Sequence, residues 1–134
     1  MRARYVPIVL GAAVLAACAH RPRKVYMADN DPLLHAIVAD VSAGIGDVYE
    51  AGETILIPTR AMTGTFNNAL IAALRQQGFT FRADGEGEPF DCRVDVFDGP
   101  IYRVEARVGE TTLSRLWVLN GADAYSGGAW ARTE

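Results

Sequence analysis

The chain has 134 residues, half of them apolar, with 13 Lys and Arg against 16 Asp and Glu for a formal net charge of -3. That length sets one domain, and the apolar share excludes an intrinsically disordered chain. An acidic balance without a long basic stripe also excludes direct nucleic-acid binding, because phosphate contacts need clustered Lys and Arg.

The N-terminus reads as an export signal. Arg2 and Arg4 form a short basic region, and residues 6–17 run apolar without a charge, as secretion requires. The run is too short to span a bilayer, which takes about 20 apolar residues, and His20, Arg21, Arg23 and Lys24 follow at once. It ends in Leu15-Ala16-Ala17-Cys18, which resembles the lipobox of bacterial lipoproteins. The alternative is an ordinary cut at small residues with Cys18 incidental. The resemblance implies acylation of Cys18, and Ala19 in place of an Asp implies sorting to the outer membrane. Removing 17 of 134 residues leaves a mature chain of 117, and losing Arg2 and Arg4 takes the charge from -3 to -5. With lipid on Cys18, Cys92 has no intramolecular disulfide partner. It is then either a buried small apolar residue or the site of a bond to a neighbouring subunit.

Residues 18–30 read as an acylated tether with no pattern of its own, whose Arg21-Pro22-Arg23-Lys24 run can meet anionic head groups. The domain is expected over residues 31–134. Asp31 and Pro32 form a helix start, a capping carboxylate followed by a proline suited to the first helical position. Leu34, Ile37, Val38, Val41, Ile45 and Val48 recur at helical spacing, and Gly44 and Gly46 predict an end near Ala43. A calcium loop at Asp29-Asn30-Asp31 lacks the required ligand spacing. Ile55-Leu56-Ile57 reads as a brief strand ended by Pro58. A second helix follows, capped by Thr63 or Thr65, with Phe66, Ala69, Leu70, Ala73 and Leu74 as its apolar stripe. Gly78 stands where a left-handed helix stop is expected, with Leu74 and Phe79 placed for the accompanying contact.

From Phe79 the period changes to two. Strands are expected over residues 80–82, 90–97, 101–108 and 111–119. An acidic glycine-rich loop covers residues 84–89, and Gly109-Glu110 suits a type II′ hairpin. Tyr102, Val104, Ala106 and Val108 face inward. The tail, Ser126 to Arg132, either adds a last strand to its own sheet or docks onto a neighbour. With two helices first, strands after, and no strand-helix alternation, the expected class is α+β. The helices pack on one face of a small, mostly antiparallel sheet.

Catalytic groups are sparse. His20 and His35 have no visible partner and read as solvated. Two histidines, one free cysteine and scattered carboxylates do not make a metal set, and no Gly-x-Ser-x-Gly or phosphate loop occurs. No catalytic residue, metal, cofactor, small-molecule substrate or enzyme activity is therefore expected. Carboxylates such as Glu86 and Asp91 leave open a cell-envelope hydrolase. Aromatic residues crowd the last third, and Tyr102, Tyr125 and Trp130 are the candidate partner interface, while Trp117 reads as core.

The motifs Phe66-Asn67-Asn68-Ala69-Leu70-Ile71-Ala72-Ala73-Leu74-Arg75-Gln76-Gln77-Gly78-Phe79, Tyr102-Arg103, Val108-Gly109, Leu113-Ser114-Arg115 and Gly128-Ala129-Trp130-Ala131-Arg132 follow the lipobox in order. In that combination the chain resembles the TrbH conjugal-transfer lipoproteins of type IV secretion systems. The helix segment alone also resembles the N-terminal ring domain of secretins, which keeps a pilotin-like or secretin-associated lipoprotein as the alternative. The TrbH resemblance implies an acylated, non-enzymatic component of the mating-pair formation apparatus in the outer membrane, with its domain in the periplasm. Its partners would be other subunits of the outer-membrane core complex.

Overall fold

A computed structural model describes residues 23–24, 27–98 and 100–134. The lipobox and Cys18 lie outside the described residues. The elements are β1 (Arg23–Lys24), α1 (Pro32–Val48), a 3-10 turn (Ala51–Glu53), β2 (Ile55–Pro58), α2 (Thr65–Gln77), β3 (Thr80–Phe81), β4 (Glu88–Asp98), β5 (Ile101–Val108), β6 (Thr111–Asn120) and β7 (Asp123–Thr133). They form the expected α+β fold, with both helices against one seven-stranded sheet of order β3-β2-β4-β5-β6-β7, and with β1 beside β4.

Local chemistry places most of these elements. The Asp31 side chain accepts from the Leu33 N–H at 2.9 Å and Pro32 opens α1, as the capping pattern predicts. The helix continues past Ala43 to Val48. The two glycines are contact points: a Cβ on Gly44 would lie 2.9 Å from Trp130 Nε1, and one on Gly46 would lie 2.9 Å from Gln77 Oε1. Glycine at 44 lets the tail's indole seat directly on the helix, and tertiary packing outweighs its low helix propensity.

The start of α2 differs from expectation. Its N-cap is Gly64, with φ 93° and no side-chain cap bond, so neither Thr63 nor Thr65 caps it. The chain enters this helix through a left-handed backbone that favours glycine over threonine. The stop is as predicted. Gly78 is left-handed, Phe79 N–H donates to Leu74 C=O at 3.1 Å, and Leu74 and Phe79 are both buried.

The sheet corrects the expectation that strands and helices do not alternate. β2, α2 and β3 form a strand-helix-strand unit in which β2 and β3 are parallel, and β2 is also parallel to β4. β3 has only two residues, too few to show a period in the sequence. From β4 on the pairing is antiparallel, through β5, β6 and β7. The tail completes its own sheet: β7 pairs with β6 along most of its length, with a bulge between Ser114 and Leu116.

The core lies between the helices and the inward face of the sheet. Leu34, Ile37, Val41 and Ile45 from α1 meet Leu70 and Leu74 from α2, with Leu56, Phe90, Cys92, Val104, Ala106, Val108, Leu113 and Trp117 from the sheet. Each such aliphatic or aromatic side chain contributes about 1.5–3 kcal/mol by leaving water. The packed unit also begins before residue 31. Met27 is buried, and Arg23 and Lys24 pair with Val96 and Asp95, so the C-terminal part of the expected tether belongs to the domain.

Candidate functional site: a cleft beside the central strand

β4 is paired along one side by β5. On its other side β2 covers residues 88–90 and β1 covers residues 95 and 96. Residues 91–94 between them have no strand partner on that side among the described residues, and a cleft of about 690 Å³ opens there. Met27, Arg60, Phe66, Asn67, Cys92, Asp95 and Arg103 are among its walls.

Arg60 substitutes for the missing strand. It stands two residues beyond β2, where Thr59 N–H still donates to Phe90 C=O at 3.0 Å. Its Nε donates to Asp91 Oδ1 at 2.6 Å and its Nη2 to Cys92 C=O at 2.9 Å. One guanidinium thus satisfies a strand carbonyl and a carboxylate together, a fork geometry that lysine lacks. Asp91 also accepts from Arg93 Nε at 3.0 Å.

The register brings opposite charges face to face between β4 and β5: Asp91 with Arg107, Arg93 with Glu105, and Asp95 with Arg103. Of these three, Arg103 Nη2 reaches Asp95 Oδ2, at 3.3 Å. Arg103 also lies over the Phe97 ring, 4.8 Å from its centre, while its Nε and the Oδ1 of Asn67 are buried without a hydrogen-bond partner among the described residues. These two atoms are one spare donor and one spare acceptor. Sequence reading missed Arg60, Asn67 and Arg103. The available signal was the complementary pattern Asp91-x-Arg93-x-Asp95 against Arg103-x-Glu105-x-Arg107.

The predicted residues are scattered. Cys92 is buried on the inward face of β4 and is a free thiol. Burial, reinforced by the neighbouring Asp91 charge, pushes its pKa far up, so it is held as a neutral, unreactive thiol. Of the two carboxylates considered for hydrolysis, Asp91 is engaged by Arg60 and Arg93, whereas Glu86 is exposed in the loop before β4. His35 is exposed on α1.

The three candidate interface residues do not form one surface. Tyr102 is half-buried and packs on the core. Trp130 is half-buried against Gly44, with the Arg115 guanidinium 5.7 Å from its ring. Tyr125 is 54% exposed, so it alone of the three is largely available to a partner. Trp117 is core, as its strand position predicts, and its Nε1 donates to Asp40 Oδ2 at 3.2 Å. Asp40 also accepts from Arg115 Nη1 at 2.6 Å, and Arg115 Nε reaches Gly128 C=O at 2.9 Å, inside the β7 bulge. This network of one carboxylate, one guanidinium and one indole joins α1, β6 and β7.

Among the described residues no helix is long and apolar enough to cross a membrane. Comparison with known proteins found no curated protein and no solved structure with a significant match. The family model described as conjugal transfer protein TrbH matches residues 21–134. That match takes in every described element, from β1 through the cleft to β7, and the chain therefore belongs to the TrbH family of conjugal transfer proteins.

Proposed function

We propose that the chain is an outer-membrane lipoprotein serving as a structural subunit of a conjugative DNA-transfer apparatus, with its domain in the periplasm. The observation that carries this reading is the family match over residues 21–134. The segment Leu15-Ala16-Ala17-Cys18 before it supplies the anchor. In this reading Cys18 is the acylated residue, and the domain works by contact and not by catalysis. Two features support that division. The described thiol is buried and protonated, and the Asp91 carboxylate is tied up by two arginines. The cleft beside β4 has a polar and apolar wall, with Arg60, Asp95 and Arg103 beside Met27 and Phe66, suited to a segment of another apparatus subunit.

The test is a mating assay with the gene deleted and then restored. Transfer should fall on deletion and return with the wild-type chain. Unchanged transfer after deletion would overturn the structural role. Copurification of the detergent-extracted chain with other transfer subunits should accompany the restored activity.

A further inference from the structure

We propose that one end of the sheet, carrying Phe97, Ile101, Leu116 and Tyr125, rests on the bilayer that holds the Cys18 anchor. The proposal depends on the anchor reading above and adds an orientation to it.

The four residues are the large apolar side chains left exposed among the described residues, at 39%, 36%, 45% and 54%. They are gathered by register. Ile101 is opposite Val118, and Val118 is opposite Tyr125, so the three stand in one row across β5, β6 and β7. Leu116 is in the next row, opposite Arg103 and Gly127. The bulge between Val96 and Asp98 leaves Phe97 beside this group, under the Arg103 guanidinium. A soluble surface has no need to collect its exposed apolar side chains in this way.

The path of the N-terminal chain points to the occupant. β1 runs antiparallel to β4, with Lys24 opposite Asp95 and Arg23 opposite Val96. Cys18 is five residues before Arg23, a span of at most about 18 Å. An acyl anchor at Cys18 is therefore within that reach of Val96 and of the patch residue Phe97 next to it, so the bilayer can meet the patch at high effective concentration. Residues 101 and 107 of β5 are about 20 Å apart along the strand, so Arg107 stands well above a bilayer touching Ile101.

The chemistry suits a lipid interface. Aromatic and aliphatic tips enter the headgroup boundary, and Arg21, Arg23 and Lys24 favour anionic headgroups. Asp123, at the start of β7 on the same end, opposes that attraction. Contact is thus mainly apolar and only weakly sensitive to salt.

The experiment places photoreactive benzoylphenylalanine at Tyr125 or, as a control, at Arg107 in the full-length chain in the cell envelope. After irradiation, mass spectrometry reads the adduct at each position and the modification of Cys18 in the same digest. At least tenfold more phospholipid adduct at position 125 than at 107 is expected. Equal adducts, no lipid adduct at 125, or a protein adduct there would overturn the proposal, while an acylated Cys18 would leave the anchor intact. An unmodified Cys18 would overturn the anchor reading and this proposal with it, whereas an acylated Cys18 without a lipid adduct at 125 would overturn this proposal alone.

Discussion

Cys92 and Asp40 show how single residues in this domain depend on their surroundings. In the folded state burial keeps the Cys92 thiol protonated, whereas in the unfolded chain it ionises above its ordinary pKa of about 8.5. The unfolded state then sheds a proton that the native state keeps. The contribution of Cys92 to stability is therefore present below that pH and falls as pH rises, by up to about 1.4 kcal/mol per unit. Urea unfolding of wild type and Cys92→Ala at pH 8 and pH 10 checks this. The wild type should lose about 2 kcal/mol more than the variant over that interval. Asp40 holds Arg115 and the Trp117 indole from the helix side. Asp40→Ala leaves both donors without their acceptor and should cost about 2–3 kcal/mol. Asp40→Asn keeps one acceptor oxygen and should cost less, which chemical denaturation would show. The position of Asp40 on a helix flank is visible in the sequence, but its partners lie 75 and 77 residues away.

At the scale of elements, α1 illustrates a local rule overruled by a distant contact. Gly44 and Gly46 both lower helix propensity, by about 1 kcal/mol each relative to Ala. Their surroundings differ. A methyl group at 44 meets the indole of Trp130, itself packed on the core, while at 46 it meets the amide tip of Gln77, an exposed side chain free to turn away. Gly46→Ala should stabilise the domain by up to about 1 kcal/mol. Gly44→Ala should destabilise it by roughly 1 kcal/mol, since overpacking outweighs the propensity gain. In a Trp130→Ala background the sign at Gly44 should reverse, and a double-mutant cycle on thermal or urea midpoints measures that coupling. The α1 start, the Gly78 stop and the β5–β6 hairpin were legible because each is written in residues a few positions apart. The α2 cap was not, because two threonines flank a glycine and only the backbone conformation at Gly64 selects it.

For the molecule as a whole, Met27 and β1 place the start of the packed unit before residue 31. A mature chain begun at residue 31 would lack Met27 and β1, and should be less stable than one begun at residue 19 by about 2–3 kcal/mol, the burial of one large apolar side chain. Comparing their urea midpoints tests this. Cys18→Ser should in turn abolish acylation and outer-membrane retention while the domain still folds, read by fractionation and circular dichroism. The sequence by itself determined the α+β class, both helices, the long antiparallel hairpins and the TrbH likeness. These are written in short-range periods, caps and turns, or in the order of motifs. Only the tertiary structure decided that β2 lies parallel between β3 and β4, that Arg60 fills the gap beside β4, and that the tail closes its own sheet. The physical reason is that strand order and edge coverage are set by competition among non-local pairings. No run of neighbouring residues records which of them buries the most surface and satisfies the most backbone groups.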